Sequence, residues 1–293
     1  MYALCAWAGG VLSGGGEGFV VHWSPGASDV GRVVARVGQP VVSLCAVAVP
    51  GLSAKLAVGT LAGDLFWVEP GGVEAPRRWR LHEDGLFGLV QVGKSVVAVG
   101  GKGRLSTWSA AAGTMERVVQ LDTVRLRGLA YLRTPGLLAV GTANGDVHLV
   151  DPASLRIVHT LALAHERTVF SIADGGAHFF TAGRDGAVRA WSTAAPFAQL
   201  AHVAAHGATV NALALRSDRI DGAASGALVS VGRDREVRVW GFHESAMALR
   251  KVLNAPRDGG HPASVNAACW LPGGLVTGGD DRVVRYWATG AGT

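Results

Sequence analysis

The sequence predicts an all-β fold: a seven-bladed β-propeller with four-stranded antiparallel blades, the last reduced to three strands. Three observations carry this. A short pattern recurs seven times, its copies ending 40-odd residues apart at Trp23, Val68, Trp108, Val150, Trp191, Trp240 and Trp287. Each copy reads as a β-hairpin, an apolar run and a Gly-containing turn followed by an alternating run. No 3.6-residue periodicity persists for three turns anywhere in the chain. A fixed period of this size marks a repeat architecture, and four short strands per repeat select the propeller.

The elements follow in order. Blade one (1–38) has an inner strand at Tyr2–Trp7, the hairpin "VLSGGGEGFVVHW" and an outer strand near Arg32–Val37. Blade two (39–81) carries "LAVGTLAGDLFWV" and the outer run "RRWRLH". Blade three (82–121) carries Gly88–Val92, "VAVGGKGRLSTW" and "MERVVQL", and blade four (122–163) "LAVGTANGDVHLV" and "LRIVHTLAL". Blades five (164–204), six (205–254) and seven (255–293) open on "TVFSIA", "TVNALAL" and "SVNAACW". Their hairpins, "FFTAGRDGAVRAW", "LVSVGRDREVRVW" and "LVTGGDDRVVRYW", align without gaps. After Trp287 only "ATGAGT" remains, too short and glycine-rich for a strand, and Met1 abuts the first inner strand. Arg282–Trp287 is therefore expected to be an open sheet edge, completed by a segment upstream of Met1 or by strand addition from a partner.

Composition fits this plan. A chain of 293 residues suits a single large all-β domain, and 49% apolar residues supply a core. The net charge is +5, yet no basic run is longer than two residues, as at Arg77–Arg78, which argues against a nucleic-acid-binding arm. Three cysteines, Cys5, Cys45 and Cys269, are too few and odd in number for a disulfide framework, so a reducing, cytoplasmic setting is expected. The N-terminus lacks the basic region of a secretory signal, and no apolar run approaches the ~18 residues of a membrane span.

Within the repeats a second pattern stands out. His165, Thr181, Asp185 and Trp191 recur as His206, Ser230, Asp234 and Trp240, and again as His261, Thr277, Asp281 and Trp287. The period, the His before the first strand and the Ser/Thr-x3-Asp-x5-Trp spacing resemble the WD-repeat family, over nearly the whole chain. Blade one keeps Ser13 and Trp23 but has Glu17 in place of Asp; Ala62, Lys102 and Asn144 stand there in blades two to four. No intact Trp-Asp dipeptide occurs. The resemblance implies a scaffold for protein assembly.

Four candidate chemistries are weighed against that. "GLVQVGKS" (Gly88–Ser95) has phosphate-loop spacing, but Leu-Val-Gln-Val are strand formers, Lys94 falls in a strand-to-strand turn and no helix follows, so no nucleotide cofactor is expected. His, Ser/Thr and Asp in three copies read as repeated structural networks, fully connected, rather than one hydrolytic triad. The three cysteines occupy equivalent positions on inner strands where other blades have Val90, Ala130, Ala173 and Ala214, a small apolar slot rather than a metal site. Trp79, between arginines, is expected to shield its own blade edge.

The expected function is a non-catalytic protein-interaction scaffold that binds through its loop faces. The alternatives are a propeller enzyme or a nucleic-acid-binding module with its site over the central channel. The candidate contact residues are Arg125, Arg167, Arg184, Arg233 and Arg235, which concentrate positive charge over blades four to six and suit an acidic protein or peptide. Blade seven breaks the pattern with Asp280. Asp218, in the loop "RSDRIDGAASG", is expected outside every network.

Overall fold

A computed structural model describes residues 1–24, 26, 30–72, 75–80, 82–216, 226–243 and 245–288. Asp218 lies outside these. Seven antiparallel sheets follow one another along the chain, each with its strands hydrogen-bonded in sequence order. Six sheets have four strands; the seventh, Val265–Leu271, Gly274–Gly279 and Val284–Ala288, has three. The innermost strands are Ala3–Trp7, Val41–Val47, Leu86–Val92, Leu126–Leu132, Val169–Asp174, Val210–Arg216 and Val265–Leu271. The only helical pieces among the described residues are a three-residue 3₁₀ turn, Gly101–Gly103, and Ala255–Asp258, capped by the Asn254 side chain, which accepts from the Arg257 N–H. Among the described residues no helix is long and apolar enough to cross a membrane.

Burial explains the order of residue types across each blade. Second strands such as Ser95–Gly100 lie between two neighbouring blades and are buried along nearly their whole length. A strand covered on both faces reads as a continuous apolar run, which is why "VVAV" and "LLAV" recur. Innermost strands alternate, as Val41–Val47 does, and the outermost strand Arg77–Arg80 is exposed throughout. The core is divided into seven apolar clusters, one between each pair of adjacent blades. The cluster joining blades two and three is large and includes Trp67, Leu86 and Trp108; that joining blades seven and one has only Val11, Leu271 and Val276 fully buried.

Three local features differ from simple repeat logic. The unpaired edge strand of blade seven begins at Val284 rather than Arg282, because Asp281 and Arg282 complete the preceding turn. Trp79 also reaches across the blade boundary, its ring centroid 5.8 Å from that of Trp108. And in six blades the second residue of the innermost strand is a β-bulge: Leu126 pairs with Thr142 and Gly128 with Gly141, leaving Arg127 out of register. The same shift frees Val42, Phe87, Phe170, Asn211 and Asn266. Lys94 sits with Gly93 in the two-residue turn between Leu86–Val92 and Ser95–Gly100, with strands on both sides.

Candidate functional site

One end of the propeller is built from two kinds of loop: the lead-in to each innermost strand and the turn between the second and third strands. Blades five to seven lock these together. In blade five, His165 Nδ1 lies 2.9 Å from Asp185 Oδ1 in the turn, and Nε2 lies 2.8 Å from Thr181 Oγ1. The Trp191 indole N–H donates to the same hydroxyl at 2.9 Å. Blade six repeats this with His206, Asp234, Ser230 and Trp240, and blade seven with His261, Asp281, Thr277 and Trp287, every link between 2.8 and 2.9 Å. In a neutral imidazole, Nδ1–H donates to the carboxylate, Nε2 accepts from the hydroxyl, and the hydroxyl accepts from the indole, so the imidazole, hydroxyl and indole of each network are all satisfied. Burial lowers the pKa of His165 and His261 despite their Asp partners, which favours that neutral form. Burial alone would raise Asp185, but its bonds from His165 and Arg189 outweigh this and hold it well below the usual carboxylate range.

Blades two to four reach the same end by other residues. In blade three the hydroxyl has moved one strand outward: Ser106 stands opposite Ala98, its Oγ 2.8 Å from His82 Nε2 and accepting from Trp108 Nε1 at 2.9 Å. The turn carries Lys102, which bonds to Glu83 in the lead-in loop, and His82 Nδ1 is buried without a partner. Burial, then the charge of Arg104, push the His82 pKa down to about 4. In blade four the imidazole itself stands on the third strand: His148 faces Val140 and bridges Thr160 Oγ1 and Asp122 Oδ2, each at 2.9 Å. In blade two the buried Asp64 accepts from Arg78 Nη2 at 2.7 Å, and Thr60 reaches Gln39 of the lead-in loop at 2.9 Å. Sequence spacing did not reveal His82, Ser106, His148 or Asp64.

The five candidate contact residues, Arg125, Arg167, Arg184, Arg233 and Arg235, are all exposed. Arg125 and Arg167 stand in the lead-in loops, the others in the turns. The backbone ties the two sets together: Ala143 N–H donates to Arg125 O, Arg184 N–H to Thr168 O and Arg233 N–H to Thr209 O, each at 2.9 Å. None of the five side chains has a carboxylate partner among the described residues. Arg235 adopts φ 73° where blades four and five have Gly145 and Gly186. A Cβ in that left-handed region is strained by roughly 1–2 kcal/mol, a cost commonly found at functional positions. Asp280 is exposed at the corresponding turn of blade seven.

The bulged residues form a second feature. Phe87, Arg127, Phe170, Asn211 and Asn266, with Val42 and the unbulged Tyr2, ring the mouth of a central channel of about 240 Å³. A bulge re-aims a side chain, and here it turns one residue per blade toward the axis. Cys5, Cys45 and Cys269 are free thiols; burial pushes Cys45 and Cys269 up to about 12, so neither ionises near neutral pH. No group of three metal-ligating side chains occurs among the described residues.

Comparisons with known proteins agree with this architecture. A family model described as "WD domain, G-beta repeat" matches residues 254–288. The WD repeat-containing protein slp1 of Schizosaccharomyces pombe is 28% identical over 206 residues, covering 67% of this chain and 39% of that protein. "Cell division cycle 20.5, cofactor of APC complex" of Arabidopsis thaliana is 26% identical over 226 residues, covering 72% of this chain and 48% of that protein. The chain thus spans less than half the length of these relatives. The WD40 β-propeller domain of Doa1 superposes with a TM-score of 0.79 at 18% identity, covering 98% of this chain and 92% of that one. A chain of the Mitotic Checkpoint Complex gives 0.78 at 19%, covering 98% and 90%. The family match in blade seven, the relatives and the seven sheets agree: the chain is a seven-bladed β-propeller that carries a WD repeat at residues 254–288 and is similar to WD-repeat proteins.

Proposed function

We propose that this propeller is a non-catalytic scaffold that holds an acidic protein or peptide against the loop face of blades four to six. One observation carries the reading: Arg125, Arg167, Arg184, Arg233 and Arg235 are exposed and lack carboxylate partners among the described residues, while their loops are pinned by backbone bonds and, in blades five and six, by buried networks beneath. Rigid presentation of unpaired charge favours an oppositely charged partner by steering and by low ordering cost. Relatives described as cofactors of the APC complex, and a structural neighbour in a checkpoint assembly, support a role inside protein complexes. Three free cysteines in a chain of this size accord with a cytoplasmic setting. The open edge of Val284–Ala288, where Tyr286 is 44% exposed, suits a second contact by strand addition.

The test is affinity capture from the native host with the chain and its R184E/R233E variant, both treated with nuclease. The expected outcome is one recurrent set of protein partners that survives nuclease and is lost in the variant. Partners retained by the variant would remove the arginine face, and material lost to nuclease would favour nucleic acid.

A further inference from the structure

Of the seven residues at the channel mouth, six are uncharged. Arg127 is the exception, and it is half-buried. Its guanidinium carbon stands 3.9 Å from the ring centroid of Phe87 and 5.2 Å from that of Phe170. These rings come from the bulged positions of the two flanking blades, so all three side chains are delivered to one level by the same backbone device. With aromatic contacts on the guanidinium, its remaining capacity is the in-plane fork of N–H donors. Among the described residues no carboxylate or carbonyl takes up that fork. Neighbouring polar groups are already engaged: Asn211 Nδ2 donates to Ser264 Oγ, Val265 O and Asn266 Oδ1, and Ser43 Oγ donates to Leu86 O. A partly desolvated cation without a counter-charge is unfavourable, and an anion entering the mouth relieves it.

We propose that the channel mouth is a receptor for a single carboxylate group, gripped edge-on by Arg127. Carboxylate is favoured over phosphate on two grounds. Arg127 is the one formally charged residue lining the channel, which balances one negative charge rather than two. The planar fork matches a carboxylate in bidentate fashion. A volume of about 240 Å³ suits an acidic side chain or a small organic acid. The two are different sources of one chemistry, and the site does not depend on the scaffold reading.

The test is isothermal titration of the full chain with glutarate, with N-acetyl-glutamate N-methylamide and with inorganic phosphate, at matched ionic strength. Saturable binding of a carboxylate probe is expected. Arg127→Gln should weaken it at least tenfold, and Arg127→Lys, which keeps the charge but loses the fork, should weaken it nearly as much. Tighter binding of the blocked glutamate assigns the site to a peptide side chain; tighter binding of glutarate assigns it to a free acid. R184E/R233E should leave the probe affinity within about twofold, so that failure of the arginine face and failure of this site are told apart. Two results would overturn the proposal: carboxylate binding that is absent or indifferent to both Arg127 variants, each confirmed folded by its thermal melt, or phosphate binding more tightly than both acids.

Discussion

Blades five to seven and blades two to four solve one mechanical problem in different ways. In the first group a lead-in histidine, a turn aspartate, a second-strand hydroxyl and a third-strand tryptophan form one unbroken chain of bonds. In blades three and four the hydroxyl or the imidazole has crossed to the third strand, in blade two the buried carboxylate, Asp64, stands there, and in blade three the loop-to-turn contact is an exposed Glu83–Lys102 pair instead of a buried His–Asp link. Blades two to seven share a polar bridge near the two loops, complete in blades five to seven and leaving His82 Nδ1 without a partner in blade three. Which residue supplies each atom is free to vary, provided cross-strand neighbours compensate.

The largest effect is expected from Thr181→Val, which strips the hydroxyl shared by His165 and Trp191. Two buried partners orphaned at ~1–3 kcal/mol each give a loss of about 2–6 kcal/mol, read as a shift in urea midpoint. Ser106→Ala should approach that value, because His82 and Trp108 share its hydroxyl in the same way. If it costs no more than Ser13→Ala, whose hydroxyl serves Trp23 alone, the rewired blade is not equivalent to the regular one.

A pH series sharpens the contrast further. The folded pKa of His82 lies near 4, below its ordinary 6.5, so on acidification the unfolded chain takes up the proton first. The associated stability is complete above about pH 6.5 and is lost progressively toward pH 4, by at most about 3 kcal/mol. His165 and His261 are shifted in the same direction, so the His82→Leu variant isolates the blade-three share: its stability should fall less steeply over that window. A variant as steep as the parent would remove His82 from the account.

Asp234→Ala should cost about 1–3 kcal/mol by leaving His206 Nδ1 unpaired. The smallest effect is expected for Glu17→Ala, at the same turn position in blade one. Glu17 meets no histidine, only the exposed Arg282 at 3.7 Å, and its loss should fall within about 0.5 kcal/mol. Equal melting temperatures for these two variants would show that the turn carboxylate contributes nothing beyond its charge.

The sequence made the blades legible because each hairpin is punctuated by glycine and closed by Trp or Val, and because both-faces-buried strands cannot hide their apolar runs. The four-residue networks of blades five to seven were legible because the hydroxyl, Asp and Trp keep a fixed spacing and a His precedes each innermost strand, 16 residues before the hydroxyl in blades five and seven and 24 in blade six. Ser106 and His148 were not, since their relation to Ala98 and Val140 is a cross-strand register, invisible to spacing along one chain. Arg127 was missed for a different reason. In "VRLRGL" simple alternation places Arg125 and Arg127 on one outward face, but the bulge leaves Arg125 on the exposed rim and swings Arg127 into the mouth. Arg235, by contrast, was visible as charge, while its left-handed backbone was not.

The seven joints of the ring are unequal. Where blades two and three meet, two tryptophans and a fully buried leucine are interlocked; where seven and one meet, Val11, Leu271 and Val276 form the buried contact, aided by Met1, whose ammonium donates to Gly279 O at 2.9 Å. A closed ring cannot relax at every joint at once, so thermal breathing concentrates at its weakest one. This propeller is therefore expected to behave as a clasp: six joints keep the channel mouth and the arginine face rigid, while the seventh, between blades seven and one, opens and recloses.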